Sequence, residues 1–431
     1  MHDLPAIELG KDLRRSIRRG HPWIFNRAVA GEVRALAAGQ LVRVVYRGRD
    51  VAVGFVDPRG AIAVRILEVI EAGRGAGRGA SQDDGGPRVG SEPWVRARVA
   101  AAVACRQAAG LFAVTDAVRL IHGENDFLPG LVVDLYGDTA VVVCDGVAAA
   151  AFWQPRLSAV LDGLDRTGLA VSRMWARAVD GRSGGRSGGR KGSRRGSRGE
   201  GHGGGRGAGV AIRGEPPGRA IVIAEHGARL ASDVRQGQKT GLFLDQRGNR
   251  RRVRDLAEGA EVLNLFAYTG GFSVQAALGG ARRVTSVDRA APAMAAARDN
   301  FELSGIDPAP HRFAAADCFE FLANDDRQYE LVIVDPPSFA SSQRARERAL
   351  GAYRQLNTLA LAAVARGGWL LSASCSSHVT TGDLLEVLGQ AGQASRRAVQ
   401  VVEIRGTEPD HPIRPGFPEG DYLSAVLLRV G

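Results

Sequence analysis

The sequence has few cysteines and no long apolar run, and both absences narrow the class of protein. Its 431 residues include four cysteines, which are widely spaced and form no Cys-x-x-Cys pair. This spacing argues against a zinc site and a disulfide framework, and it is typical of a cytoplasmic protein. No run of 18 apolar residues is present, so no transmembrane span is expected. The basic N-terminus has no apolar segment behind it, which argues against a signal peptide.

The net charge of +11 is concentrated in one segment. Residues 181–219 contain ten Lys or Arg and two Glu, a net of +8, which leaves +3 for the rest of the chain. The segment consists largely of Ser-Gly-Gly-Arg-like units that cannot bury apolar surface, so it is predicted to be disordered. It is either a surface insertion in one loop or a nonspecific RNA-binding arm. The charge of the remaining chain is only a weak indication of a nucleic-acid partner.

The apolar pattern predicts three folded units. Residues 1–70 carry short strands separated by Gly, Asp and Pro, which indicates a small β-rich domain. A Gly-rich linker at 71–93 precedes a central α+β domain at 94–225, which carries the basic insertion. Residues 226–431 alternate strands and helices. This alternation predicts an α/β domain with a doubly wound, mainly parallel sheet.

Two aromatic residues stand close together near the N-terminus. Trp23 and Phe25 follow the basic pair Arg18 and Arg19. They are either core residues, as most aromatics are, or part of an RNA-facing edge with cations beside it. The sequence leaves both interpretations open.

Polar residues follow five successive strands predicted in the last domain. They are the turn 266–271, Asp288, Asp317, Asp335-Pro336-Pro337 and Ser374-Cys375-Ser376. Ligands of such sheets bind outside the carboxyl ends of the strands. A single Asp after a strand is often only a helix cap, but the shared order of these residues predicts one ligand site. The turn lacks the Gly-x-Gly-x-x-Gly fingerprint, so NAD is not expected.

This order resembles the S-adenosylmethionine-dependent methyltransferases with a Rossmann-like sheet. The resemblance implies that Gly270 and Gly271 back the methionine moiety of the cofactor. It also implies that Asp288 accepts both ribose hydroxyls and that Asp317 accepts the adenine amino group. A polar loop at 233–247 is either solvated or folded over the cofactor. The other residues expected at the cofactor are Asp245, Gln246, Asn264, Phe266, Tyr268 and Asp335.

The Asp-Pro-Pro sequence indicates chemistry on a planar base. Two prolines fix the backbone after Asp335 and prevent a helix from continuing there. Asp-Pro-Pro followed by an aromatic residue is familiar from enzymes that methylate exocyclic amines of bases. Here Ser338 intervenes before Phe339, which departs from that pattern. An exocyclic amine or a guanine ring nitrogen is therefore the alternative target, not the first.

Cys375 indicates a different reaction on a base. C5 of cytosine is a poor nucleophile until a thiolate adds at C6, which makes the ring enamine-like and divides one hard step into easier ones. The adduct needs an acid at N3, and Asp335 on the adjacent strand could supply it. Alternatively, Cys375 is a small residue at a strand end. Its position one strand after Asp-Pro-Pro favours the nucleophile.

Nearly the whole chain resembles bacterial 23S rRNA methyltransferases that make 5-methylcytosine and carry an N-terminal PUA domain. The resemblance implies a PUA-like domain at 1–70, Cys375 as nucleophile and Asp335 beside it. It implies S-adenosylmethionine as cofactor and 23S rRNA or a large-subunit precursor as partner. No metal and no membrane partner are expected, and a homodimer stays open. The matching motifs are Gly20–Phe25, Arg119–Gly130, Lys239–Arg247, Asn264–Ser273, Val334–Phe339, Ser374–Ser376 and Asp410–Leu423.

Overall fold

The first domain is a six-stranded sheet with one short helix. The computed structural model describes residues 3–70, 87–178, 209–339 and 345–431. The sheet order is β2-β6-β5-β4-β1-β3, and only β1 and β4 pair in parallel. Alternating apolar residues fill its interior, as the β-rich prediction requires. Its elements are β1 (Ala6–Leu9), α1 (Arg14–Arg18), β2 (Trp23–Phe25), β3 (Val29–Ala30), β4 (Leu41–Tyr46), β5 (Arg49–Val56) and β6 (Ile62–Val69).

The central domain packs three helices on a five-stranded sheet of order β11-β10-β9-β8-β7. Its helix α2 begins at Glu92, inside the range predicted as linker, because Pro93 suits the first turn of a helix. Most of that linker lies outside the described residues. The elements are α2 (Glu92–Ala108), β7 (Ala117–His122), β8 (Leu131–Tyr136), β9 (Thr139–Cys144), α3 (Val147–Trp153), α4 (Leu157–Asp165), β10 (Arg173–Ala176) and β11 (Val210–Arg213).

Two boundaries predicted around the basic insertion are wrong. The disordered segment was expected to reach residue 219, but β11 pairs with β10 from Val210, because the apolar residues of this short strand cover the edge of the sheet. Residues 181–208 of the predicted segment lie outside the described part of the chain. The boundary at 225/226 falls in the turn of a hairpin, β12 (Ala220–Glu225) and β13 (Ala228–Asp233). This hairpin contacts both neighbouring domains. The backbone N–H of Ala224 donates to Asp116 of the central domain, and that of Ala231 donates to Asn300 of the last domain.

The last domain is the predicted doubly wound sheet, with strand order β16-β15-β14-β17-β18-β20-β19. Only β20 runs against the other strands. Successive residues of β14, such as Val262 and Leu263, enter separate cores on the two faces. This explains the continuous apolar runs in the sequence, since a sheet covered on both faces buries every residue of its central strands.

The apolar runs of this domain predict strands at 261–266, 283–288, 311–316, 329–335, 368–374 and 422–430, and the structure has a strand at each of these places. Strand β19 was not predicted. The elements are α5 (Arg247–Leu256), β14 (Glu261–Leu265), α6 (Gly271–Leu278), β15 (Arg283–Asp288), α7 (Ala291–Leu303), β16 (Arg312–Ala315), α8 (Cys318–Asn324), β17 (Tyr329–Val334), α9 (Arg346–Ala363), β18 (Val364–Ser374), α10 (Thr381–Ser395), β19 (Val399–Arg405) and β20 (Ser424–Val430). Across the described ranges, no helix combines the length and the apolar character that a membrane span needs.

Trp23 lies where the three domains meet, which neither sequence interpretation anticipated. Its indole N–H donates to Oε1 of Glu124 in the central domain at 2.8 Å. Its ring packs edge-on against Phe417 of the last domain, with 4.6 Å between the centroids. Glu124 also pairs with Arg65 of the first domain. The half-buried side chain of Trp23 therefore joins the three domains rather than filling the core of one.

Candidate active site

A cavity of about 550 Å³ opens at the carboxyl ends of β14, β15, β17 and β18. Its position is the one expected of a ligand site in an open α/β sheet. Most of the site residues predicted from the sequence line this cavity, together with residues of the polar loop at 233–247. The predicted residues in its wall are Asp245, Gln246, Phe266, Tyr268, Gly271, Asp288, Asp317, Asp335 and Cys375.

The turn after β14 is conformationally strained and is fastened to β15. Phe266 and Tyr268 both have positive φ, +57° and +47°, which is uncommon for residues other than Gly, Asn and Asp. The backbone N–H of Tyr268 donates to Oδ2 of Asp288 at 3.0 Å, and that of Ala290 donates to Oδ1 at 2.9 Å. Asp288 thus holds the turn in place and keeps unused lone pairs on both oxygens. Strain of this kind is typical of functional sites.

Two predicted cofactor residues, Asn264 and Gly270, lie beneath the cavity and are absent from its lining. Asn264 is buried and donates to Oγ of Ser273 at 2.9 Å, because the strand alternation turns its side chain toward α6. Gly270 has φ +79°, and a Cβ there would lie 2.8 Å from Cβ of Ala297. Both residues shape the turn from below, and their direct contact with the cofactor stays a prediction.

Asp317 and Cys318 occupy the next strand end. Oδ1 of Asp317 accepts from the backbone N–H groups of Phe319 and Glu320 at 2.9 and 3.4 Å, so Asp317 is the N-cap of α8 as well as part of the cavity wall. Cys318 is buried, and its sulfur accepts from the backbone N–H of Phe266 at 3.3 Å. Burial raises the pKa of the Cys318 thiol to about 12. Cys318 therefore supports the strained turn, and its sulfur is already engaged by the backbone N–H of Phe266.

Asp335 has an environment unusual for a carboxylate. Burial, followed by the negative charge of Asp245, raises its pKa to about 7. Nε2 of Gln246 donates to its Oδ1 at 2.9 Å and opposes part of that rise. Asp335 can therefore both accept and donate a proton near neutral pH, as general acid–base groups must.

Asp245 stays ionised beside it. Burial acts to raise the pKa of Asp245, but the charges of Lys239 and His411 and the hydrogen bonds from Lys239 and Tyr422 lower it below its ordinary value. Lys239 and Tyr422 both contact Oδ2, the latter at 2.6 Å. Oδ1 is buried and has no hydrogen-bond partner among the described residues. A donor that reached this oxygen would offset the cost of leaving a buried carboxylate oxygen unpaired.

Tyr422 is a residue that the sequence analysis did not connect with the site. Its hydroxyl reaches Asp245 from the C-terminal loop, and its ring lies 6.2 Å from that of His122 in the central domain. The motif Asp410–Leu423 contains it, but no strand or turn pattern indicates that this distant loop closes over the cavity. Only the fold brings the two regions together.

Cys375 lies in the same wall as Asp335 and is half-buried. Strands β17 and β18 pair in register, with Val334 opposite Ser372, so both side chains follow neighbouring strand ends. Its sulfur makes one weak contact, to the carbonyl oxygen of Pro336 at 3.9 Å. Burial, then the charge of Asp335, raises the pKa of the thiol to about 11. Cys375 is therefore protonated at rest and needs a proton acceptor to become a nucleophile.

The cavity offers the hydrogen-bond acceptors that the ammonium, hydroxyl and amino groups of S-adenosylmethionine require. Gly271, in the cavity wall, lets the backbone approach a ligand closely, and the carboxylate of Asp245 fits an ammonium group. Asp288 and Asp317 offer acceptors for hydroxyl and amino groups at successive strand ends. These features fit the methionine, ribose and adenine parts of one molecule.

Comparisons with known proteins agree with this fold and site. Residues 7–68 match the model of a PUA-like domain, and residues 207–416 match that of an S-adenosylmethionine-dependent methyltransferase. The crystal structure of SMU.776 complexed with SAH shares the fold, with a TM-score of 0.77 at 18% identity over 99% of this chain and 100% of that one. The last domain is thus an S-adenosylmethionine-dependent methyltransferase domain.

Two relatives extend the similarity over the whole chain. A ribosomal RNA large subunit methyltransferase of Deinococcus radiodurans is 37% identical over 98% of this chain and 97% of its own. Ribosomal RNA large subunit methyltransferase I of Erwinia tasmaniensis is 32% identical over 98% of both chains. Full-length similarity at this level, in the same domain order, shows common descent. The chain therefore belongs to the family of ribosomal RNA large subunit methyltransferases.

Proposed function

We propose that the protein methylates C5 of a cytosine in 23S rRNA through a covalent adduct with Cys375. The observation that carries the proposal is that the Cys375 thiol lies in the wall of the cofactor cavity together with Asp335, a carboxyl of raised pKa. The relatives named as large-subunit rRNA methyltransferases support the choice of RNA as substrate. The thiol supports C5 chemistry, because methylation of a ring nitrogen or an amine needs none.

The first step transfers one proton and forms one bond. Asp335, as carboxylate, takes the thiol proton of Cys375 and passes it to N3 of the cytosine. The sulfur of Cys375 bonds to C6 at the same time, which leaves C5 with enamine character. The resting enzyme therefore needs Asp335 ionised and Cys375 protonated. Because the pKa of Asp335 is about 7, adduct formation should become faster as the pH rises through that value.

The later steps reverse the addition. Bound S-adenosylmethionine supplies an electrophilic methyl group, which C5 accepts. A base then removes the C5 proton, the bond between C6 and sulfur breaks, and N3 returns its proton through Asp335 to the departing thiolate. Once the base has released the C5 proton to solvent, the chain is again in the protonation state in which it began.

The residues proposed to hold the cofactor are those in the cavity wall. Asp288 would accept the ribose hydroxyls and Asp317 the adenine amino group, while Asp245 would accept the methionine ammonium through its unpaired oxygen. Gln246 fixes Asp335 and so acts on the reaction through it. Phe266 and Tyr268 would supply walls for the adenosine.

RNA containing 5-fluorocytidine tests the proposal. Fluorine replaces the C5 hydrogen that must leave as a proton, so the covalent adduct cannot break down and is trapped. We expect a cofactor-dependent covalent complex that Cys375→Ala abolishes. Cys105→Ala is the matched control, since that thiol is exposed on the surface helix α2. A Cys375→Ala enzyme with full activity would rule out the covalent mechanism. Nucleoside mass spectrometry of ribosomal RNA from a deletion strain would then identify the missing methylated base.

The second candidate is methylation of a guanine ring nitrogen or an exocyclic amine without an adduct. One observation favours it: Phe339 follows Asp-Pro-Pro and lines the cavity, where an aromatic ring can stack on a base. The raised pKa of Cys375 would then have no consequence for the reaction. The same Cys375→Ala variant separates the two candidates, because this reaction would continue without the thiol.

A further inference from the structure

An exposed phenylalanine stands in a strained conformation at the end of a loop in the central domain. Phe127 follows β7 and a 3₁₀ turn, has φ +60° and is 47% exposed. A bulky aromatic residue is rare in the left-handed region and is normally buried. The left-handed conformation ends the 3₁₀ turn, where the backbone N–H of Phe127 donates to the carbonyl of Glu124, but this cap does not account for the exposure of the ring. An observed outlier of this kind points to a role in recognition.

The loop is rigid, so the exposure of Phe127 is fixed by the fold. Glu124 accepts from Trp23 and pairs with Arg65, both in the first domain. Asp126 accepts two bonds from the buried guanidinium of Arg106, at 2.7 and 2.6 Å. The residues just before Phe127 are therefore anchored on two sides. The ring is preorganised, which reduces the entropy lost when a partner binds.

Two arginines flank the Phe127 ring. The guanidinium carbon of Arg414 lies 4.2 Å from the ring centroid, and that of Arg98 lies 5.4 Å from it. Arg98 pairs with Glu68. Arg414 bonds the backbone carbonyl of Glu124, and among the described residues no ion pair neutralises its charge. The cluster of Arg98, Phe127 and Arg414, here the Phe127 platform, combines an aromatic ring with surplus positive charge.

The platform is connected to the active-site cavity by its own loops. His122, five residues before Phe127, has its ring 6.2 Å from that of Tyr422, whose hydroxyl binds Asp245 in the cavity wall. Five residues span at most about 18 Å. Arg414 lies in the same C-terminal loop as Tyr422. A strand whose target base enters the cavity would therefore have neighbouring nucleotides within reach of the platform.

We propose that the Phe127 platform binds single-stranded RNA beside the target nucleotide, with a base against the aromatic and guanidinium surfaces and a phosphate at Arg414. Single-stranded RNA is recognised by such combinations, because every base has a π-face and every linkage a negative charge. An acidic protein partner would use the charge but not an exposed ring. The inference rests on RNA as the substrate and is independent of which base atom is methylated.

Phe127→Gly tests the platform with little risk of misfolding, because glycine adopts the left-handed conformation without strain. The probe is a fluorescein-labelled single-stranded polyadenylate of about 12 nucleotides, compared by anisotropy with an RNA duplex of the same length. We expect roughly tenfold weaker binding of the single strand, a smaller effect on the duplex and an unchanged or higher melting temperature. Phe127→Trp should retain the affinity. Equal binding of the single strand by Phe127→Gly and the natural protein would overturn the proposal.

Arg414→Gln tests the phosphate contact separately. It should reduce the slope of log affinity against log salt concentration by about one, whereas Phe127→Gly should leave the slope unchanged. Arg298→Gln, on the exposed face of α7, removes the same charge elsewhere and is the matched control. An equal slope change in both arginine variants would contradict a local contact. These measurements read binding, so they remain informative if the adduct assay fails.

Discussion

Gln246 donates a hydrogen bond from Nε2 to Oδ1 of Asp335 at 2.9 Å. This bond joins the loop before α5 to the Asp-Pro-Pro end of β17, two regions 89 residues apart. It favours the ionised form of Asp335 and so opposes burial and the charge of Asp245, which raise the pKa. The protonation of the proposed acid–base residue is thus set by the neighbouring loop as well as by its own strand.

Gln246→Leu should move the pH dependence of the reaction upward. Without the hydrogen bond, the pKa of Asp335 rises further above about 7, and fewer molecules carry the carboxylate that takes the thiol proton. We expect the midpoint of 5-fluorocytidine adduct formation to shift to higher pH. The measurement is the single-turnover adduct rate between about pH 5.5 and pH 9.

The control for this shift is Gln328→Leu, which removes an exposed glutamine whose side chain donates to the carbonyl of Ala362, far from the cavity lining. Its pH profile should match that of the natural protein. A midpoint that stays in place or moves down in Gln246→Leu would show that Asp335 does not govern adduct formation.

Asp335→Asn should stabilise the protein while it abolishes activity. The carboxyl titrates near 3.8 in the unfolded chain and near 7 in the folded one, so the folded state binds the extra proton between these values. The free energy of unfolding of the natural protein therefore falls as the pH rises from about 4 to about 7, and an amide avoids this loss. Above pH 7 the free energy of unfolding of Asp335→Asn should exceed that of the natural protein by on the order of 2 kcal/mol, after allowance for solvent screening. Urea unfolding at pH 5 and pH 8 measures it, and equal differences at both pH values would contradict the raised pKa.

The sequence predicted the catalytic sheet well because the signal there is local. Each predicted strand of the last domain is an apolar run, and the polar residue that ends it, such as Asp288, needs no knowledge of the rest of the chain. β19 was missed because Val401 and Ile404 are exposed at the sheet edge, where no regular burial pattern marks a strand. The pKa of Asp335 could not be predicted either. It depends on Asp245, which is distant in sequence and reaches the site only through the fold.

Gly270→Ala should destabilise the turn beneath the cofactor cavity. The backbone at Gly270 has φ +79°, which strains any residue with a side chain. An added Cβ would also lie 2.8 Å from Cβ of Ala297, so strain and a steric clash act together. We expect a loss of about 1–3 kcal/mol in the free energy of unfolding and weaker binding of S-adenosylmethionine by calorimetry. Gly351→Ala in α9 is the matched control. Open space surrounds that position, and alanine should stabilise the helix by up to about 1 kcal/mol. If both substitutions changed the free energy of unfolding in the same direction, the steric clash at Gly270 would be contradicted.

Asp410→Asn should be the most destabilising of these substitutions, because Asp410 joins the central and catalytic domains through a buried charge. Its Oδ2 accepts from Nη2 of Arg247 at 2.8 Å and from the backbone N–H of Arg119 at 3.0 Å, and both side chains of the ion pair are fully buried. The amide would remove the nearest charge from the buried Arg247 guanidinium, which keeps the Glu225 carboxylate at 3.8 Å and the carbonyl of Ala117, so the cost should be about 3 kcal/mol. Asp255→Asn breaks an exposed pair with Arg251 and should cost less than about 0.5 kcal/mol. Urea unfolding of both variants decides the matter. Similar small losses would mean that the buried pair contributes no more than a surface one.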